Sequence, residues 1–201
     1  MKKGLFVVFE GIDGSGKSSC MEAVASALGK DADVVRTAEP TRGKIGMLIR
    51  SSPEIMPETE ALLFTADRAE HTIEIKKWVE EKKTVLCDRY YASTVAYQSS
   101  KLDGRAVSRP WLMLMNFRVI VQPDITFLFD IDPRIGLERV ESRGSKSKFE
   151  RLEYLSEVRR NYLRIAKKYN FTVIDASRSR EEVFNDVMGH ILNLIQHKDN
   201  E

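Results

Sequence analysis

Five short apolar runs leave this chain few ways to fold: Leu5–Glu10, Asp33–Thr37, Thr84–Asp88, Ile125–Ile131 and Phe171–Asp175. They are rich in Val, Ile and Phe and barely alternate, the pattern of strands covered on both faces. Helical patterns separate them. Leu62, Ala66, Ala69 and Ile73 form one apolar stripe at 3-4 spacing, and Leu152, Leu155, Tyr162, Ile165 and Tyr169 form another, each read as a core face. Strand–helix alternation of this kind predicts an α/β fold, a five-stranded parallel sheet flanked by helices with right-handed crossovers. Ligands of such sheets bind at the carboxyl ends of the strands, so the loops after Glu10, Thr37, Asp88 and Asp130 are where a site is expected.

Composition narrows the class. The 201 residues suit one domain, 1–201, with a full core. At 42% hydrophobic and 31% charged the chain reads as an ordinary soluble protein, and a net charge of +2 is too small to argue for nucleic acid as a partner. Two cysteines, Cys20 and Cys87, form no disulfide framework or metal spacing, which points to a reducing cytoplasm. The apolar run before Glu10 is too short for a signal peptide, and no later run approaches the ~18 apolar residues of a membrane span.

The sharpest motif follows the first run. Gly11-Ile12-Asp13-Gly14-Ser15-Gly16-Lys17-Ser18 matches G-x-x-x-x-G-K-[ST] without a gap, after an expected strand and before the helical stretch Lys17–Leu28. Glycines let successive N–H groups curl inward around a phosphate at a helix N-terminus. Lys17 reaches toward the β- and γ-phosphates, and the Ser18 hydroxyl suits Mg²⁺. Thr84–Asp88 ends in a carboxylate, the form of a Walker B aspartate that organises Mg²⁺ or its water. The sheet is therefore expected to be of the P-loop nucleoside triphosphate hydrolase type. The chain has no Asn-Lys pair for reading guanine, and 201 residues are few for a motor or transporter. A small kinase remains, with a binder that holds ATP without transfer as the alternative.

A kinase needs an acceptor pocket. In the helix from about Glu58 to Glu80, Phe64 and Arg68 share a face turned away from the Leu62–Ile73 stripe, suited either to a flat base or to a second buried face. Arg89 suits an acceptor phosphate or a pair with Asp88. Tyr97 and Gln98 suit a sugar and a base, or ordinary helix packing. Downstream, Arg139, Arg143, Lys146, Lys148 and Arg151 surround Gly144, with Glu138, Glu141 and Glu150 interspersed. This segment, about 139–151, is either a solvated loop or a lid that closes on ATP.

Together these pieces resemble the thymidylate kinase family of nucleoside monophosphate kinases. The matching stretches are "FEGIDGSGKSS", "EPT" at Glu39–Thr41, "LLFTADRAEH" at Leu62–His71, "DRYYASTVAYQ" at Asp88–Gln98, "QPDITFLFDIDP" at Gln122–Pro133 and "YLSEVRRNYLRIA" at Tyr154–Ala166. The resemblance implies transfer of the ATP γ-phosphate to dTMP, giving dTDP and ADP with Mg²⁺, by a homodimer packed through helices. It implies that Asp13 contacts the deoxyribose 3′-hydroxyl, Phe64 stacks on thymine, Arg68 bonds the base edge and Arg89 holds the monophosphate. Tyr97 would fill the place of a 2′-hydroxyl, and Thr94 and Gln98 fall on base-contacting positions. Pro40 matches a special turn near the base. Three departures stand out. Ala38 replaces an arginine common before Glu-Pro, and Thr41-Arg42-Gly43 replaces Gly-Gly-Thr, so Arg42 or Arg50 is a candidate substitute. Gly14 occupies a position where some members carry a catalytic arginine, which resembles the variant that takes its arginine from the lid and makes Arg143 the preferred lid residue, ahead of Lys146 and Lys148.

Overall fold

The computed structural model describes residues 4–29, 33–52, 55–100, 106–140 and 148–200. Arg143 and Lys146 of the expected lid lie outside these residues, as does the side chain of Lys148. The elements run β1 (Leu5–Gly11), α1 (Lys17–Leu28), β2 (Val34–Ala38), α2 (Lys44–Ser51), α3 (Pro57–Glu80), β3 (Thr84–Asp88), α4 (Tyr91–Gln98), α5 (Arg109–Phe117), β4 (Ile125–Asp130), α6 (Pro133–Val140), α7 (Lys148–Tyr169), β5 (Thr172–Asp175) and α8 (Arg180–Asn200). Each expected strand is found with its ends within one residue.

All five strands are parallel, in the order β2-β3-β1-β4-β5. Central β1 is buried along its whole length, as its unbroken apolar run requires. Phe9 stacks at a tilt between Phe127 and Phe129 of β4 in the middle of the core. Helix α1 packs on α8, whereas α3, α4, α5 and α7 pack on one another, and both groups lie against the sheet. Among the described residues no helix is long and apolar enough to cross a membrane.

The register does the positioning. Phe9 of β1 pairs with Asp88, the last residue of β3, so β1 runs on through Glu10 and Gly11 past the end of its neighbour. The Arg89 amide donates to the Phe9 carbonyl at 2.9 Å, and the loop after β1 thereby lies beside the Asp88-Arg89 step.

One expectation is reversed. The α3 stripe faces outward: Leu62 is 51% and Ile73 65% exposed, and Ala66 is exposed with them. The buried face carries Ala61, Asp67, Arg68, His71, Thr72 and Ile75. Polar groups can occupy an inward face when each finds a hydrogen-bond partner there, and these do. Asp67 accepts from the amide and the hydroxyl of Thr41, both at 2.7 Å, while His71 meets Thr37 Oγ1 at 2.7 Å and Glu39 Oε1 at 3.0 Å. The second stripe behaves as expected: Leu155, Tyr162 and Ile165 of α7 are buried, and Tyr169 closes the edge against Tyr91.

Candidate active site

The glycine turn is built from positive dihedrals and a close approach. Gly14 and Gly16 have φ of 78° and 84°. A Cβ on Gly14 would come within 2.1 Å of the Gly136 carbonyl oxygen, so the turn lies directly against α6. Lys17 opens α1 with its side chain buried, its Nζ 3.9 Å from Asp88 Oδ1. Burial lowers the pKa of this lysine from its ordinary 10.5, and the nearby Arg89 charge adds to the effect, against the pull of Asp88, Asp13 and Glu10. The Ser18 hydroxyl donates to Asp88 Oδ2. Asp88 Oδ1 is buried and accepts no hydrogen bond among the described residues. A buried carboxylate oxygen without a donor, joined to a hydroxyl and next to a phosphate-type loop, is a donor set that fits a hard cation or its water. Among the described residues no group of three His, Cys, Asp or Glu could hold a metal, so such a cation would need phosphate oxygens to complete its shell.

Arg89 lies on the other side of the step. It takes a φ of 69° at the sharp exit from β3. Its guanidinium donates to Asp13 Oδ1 at 2.6 Å and to Ser93 Oγ at 3.3 Å, with the hydroxyls of Tyr97 and Tyr162 at 3.5 Å and its carbon 5.1 Å from the centre of the Tyr97 ring. Asp13 is thus its partner, rather than the neighbouring Asp88. Burial works against the Arg89 charge, but Tyr97, Tyr162, Asp13 and Glu10 outweigh it and hold the pKa well above the usual value.

Glu10 supports this corner from below. It is fully buried at the end of β1 and accepts from the amides of Tyr90 and Ser93 at 2.9 and 3.1 Å. It also accepts from the hydroxyls of Ser93 and Tyr162, at 2.5 and 3.1 Å. Burial pushes its pKa up, against the pull of the Ser93 hydroxyl, the Arg89 charge and the amides of Tyr90 and Ser93. A carboxylate held on those amides caps the N-terminus of α4.

Above Arg89 opens a cavity of about 280 Å³ lined by Asp13, Phe64, Arg68, Arg89, Thr94, Tyr97 and Gln98, with Glu39, Pro40 and Glu60 among its other walls. All seven acceptor-side residues expected from the sequence therefore face one space. Arg68 is fully buried and held from several directions. It pairs with Glu39 at 2.6 Å through one terminal nitrogen and at 2.8 Å through Nε, donates to Thr94 Oγ1 at 3.0 Å and to Asn116 Oδ1, and lies over the Tyr90 ring. The Glu39–Pro40 peptide bond is cis, at the turn expected from Pro40. Arg50 donates to the carbonyls of Pro40, Thr41 and Gly46 and so braces the turn, whereas Arg42 is exposed. Arg139, at the start of the expected lid, reaches the Gly14 and Ala176 carbonyls at 3.3 and 3.4 Å. A larger open groove of about 900 Å³ runs along β2, α2 and α3. Its Arg36 is paired with Glu22.

A family model described as "Thymidylate kinase" matches residues 9–187. The chain belongs to the thymidylate kinase family. Among the relatives are proteins named probable thymidylate kinase from Methanocaldococcus jannaschii, 40% identical over 96% of this chain and 99% of theirs, and from Methanosarcina mazei, 40% identical over 96% and 98%. A third, from Pyrococcus abyssi, is 38% identical over 98% of each chain.

Glu10, Glu39, Ser93 and Asn116 join the site in the fold without being singled out by the sequence. Glu10 gave a signal, a carboxylate inside an otherwise apolar central strand. Glu39 stands out in the sequence only as part of the Glu39–Thr41 stretch, and Asn116 gives no signal: an asparagine in a short helix becomes meaningful only when Arg68 arrives at its amide oxygen. The ring of Tyr162 is core, as its place in the α7 stripe predicts, but its hydroxyl reaches the Glu10–Ser93–Arg89 cluster.

Proposed function

We propose that this protein is a dTMP kinase that transfers the γ-phosphate of ATP to dTMP, giving dTDP and ADP. One observation carries the reading: a single cavity holds an aromatic ring, two arginines and Asp13, and opens beside a phosphate-type loop whose lysine is buried next to Asp88. The cavity suits a nucleoside monophosphate with thymine on Phe64, its edge at Arg68 and Thr94, and its phosphate at Arg89. Asp13 takes the 3′-hydroxyl, Tyr97 fills the 2′ position, and Gln98 faces the base.

The loop Gly11–Ser18 (Gly11, Ile12, Asp13, Gly14, Ser15, Gly16, Lys17 and Ser18) wraps the triphosphate. Its inward amides and Lys17 share the negative charge, and Arg89 keeps the acceptor oxygen in line, so the protein contributes positioning and charge neutralisation. Mg²⁺, held by Ser18 and Asp88 together with phosphate oxygens, supplies further charge stabilisation when bound. Arg143 is the lid cation in this reading, within a segment of about 139–151 attached to a single domain, and it shares the charge of the transferring group. The enzyme works in the cytoplasm, in keeping with two unpaired, buried cysteines. It pairs as a homodimer, in keeping with the exposed apolar side chains of Leu62 and Ile73 on α3 and Leu114 and Phe117 on α5.

The test is ADP release with ATP and a panel of nucleoside monophosphates. Strong dTMP-dependent turnover is expected. A preference for another monophosphate would reassign the acceptor, and silence with every acceptor would leave an ATP binder.

A further inference from the structure

Thr94 and Gln98 are four residues apart on α4, so they share a face, and both line the acceptor cavity. Gln98 is 9% exposed. Its Nε2 donates to Glu60 Oε2 at 2.9 Å, and its Oε1 is buried with no hydrogen-bond partner among the described residues. A carboxylate only accepts, so the amide cannot turn over without setting oxygen against oxygen. Glu60, in the first turns of α3, thereby decides which end of the amide is left over, and it is the acceptor. A buried amide oxygen without a donor is costly, so it is where an arriving N–H gains most. At Thr94, one helical turn before Gln98, Arg68 of α3 supplies the opposite character as a donor, its guanidinium fixed on Glu39, Asn116 and Thr94.

We propose that Glu60 is a specificity-determining positioning residue, which holds the Gln98 amide oxygen ready for the ring N–H of an imide base (thymine or uracil) and so turns the cavity against cytosine. This rests on the dTMP kinase reading and adds to it how the base is chosen. Thymine offers a ring N–H flanked by carbonyl oxygens, the complement of an acceptor next to a donor. Cytosine in the same place presents a bare ring nitrogen to Gln98 Oε1 and its amino group to Arg68, two mismatches in a buried site. Sites built around such polar pairs reject the mismatched analogue strongly, because their own groups are left unpaired.

The experiment measures kcat and KM for dTMP, dUMP and dCMP with the wild-type enzyme, Glu60→Gln and Gln98→Leu. Glu60→Gln keeps the shape but lets the amide face either way. It is expected to lower kcat/KM for dTMP by about tenfold, chiefly through KM, and to shrink the preference for dTMP over dCMP by about 10- to 100-fold. The ratio of dTMP to dUMP is expected to hold within about twofold, since both bases share the same ring N–H. General damage to the fold would depress all three substrates together and leave the dTMP-to-dCMP ratio intact, and that outcome overturns the proposal. If Glu60→Gln does not fold, Gln98→Leu reads the same ratio, and an unchanged value there also overturns it. A wild-type enzyme that turns over none of the three overturns the dTMP kinase reading instead, a result distinct from either variant's.

Discussion

The buried pair of Glu39 and Arg68 fixes the wall of the acceptor cavity, and its energy can be worked from its geometry. The closest N···O distance is 2.6 Å, and the two side chains are 2% and 1% exposed. Glu39→Gln leaves the Arg68 charge among neutral partners, Asn116 and Thr94. Arg68→Met leaves the Glu39 carboxylate with His71 as its remaining partner. Removing one member of a buried ion pair costs about 3–5 kcal/mol, a large share of the ~5–15 kcal/mol that holds a typical domain together. Removing both leaves no charge alone, so the double variant should be about 2–4 kcal/mol more stable than the sum of the singles. Urea unfolding followed by circular dichroism measures the whole cycle. The double variant should recover stability without recovering dTMP binding, because the donor at the base edge is gone. A coupling below about 1 kcal/mol would refute the reasoning, since it would mean that water reaches the pair and screens it.

Three further outcomes are expected. Gly14→Ala and Gly16→Ala share the strain of a positive φ, about 1–2 kcal/mol, but only the first drives a Cβ into Gly136, where nothing lies within 4 Å of the second. Urea melts should therefore show Gly14→Ala as the more damaging by at least about 1 kcal/mol, and equal costs would contradict the contact with α6. Because burial lowers the Lys17 pKa below 10.5, the ammonium is lost early as pH rises, whereas a bound triphosphate favours it. ATP affinity should then fall as pH climbs through the lowered value, and calorimetry in buffers of different ionisation enthalpy should find proton uptake on binding in that window; no uptake would remove Lys17 from the phosphate. Lys17→Ala should cut turnover by orders of magnitude, Arg89→Ala and Phe64→Ala should act chiefly on the dTMP KM, and an unchanged KM in Phe64→Ala would make that ring part of the core.

The sheet was legible because each strand is buried on both faces and says so in an unbroken apolar run. Thr84–Asp88 matches β3 to the residue. The phosphate loop was legible because its glycines have a backbone reason to be where they are. Helix α3 misled because the rule that apolar faces turn inward holds only when the core is apolar. Here the interior next to the cavity is a polar network of Arg68, Glu39, His71 and Thr37, and the Leu62–Ile73 stripe is left outside. The partners of that network come from β2, α3, α4 and α5, which no local pattern links. Asn116 and Glu60 acquire their roles only through residues far away in sequence, at Arg68 and Gln98.

The most direct measurement is a crystal structure with an unreactive ATP analogue and dTMP bound together. The triphosphate is expected within the amides of Gly14–Lys17, the monophosphate on the Arg89 guanidinium, and thymine against Phe64 with its ring N–H toward Gln98. A loop empty of phosphate, or an acceptor bound away from Arg89, would contradict it.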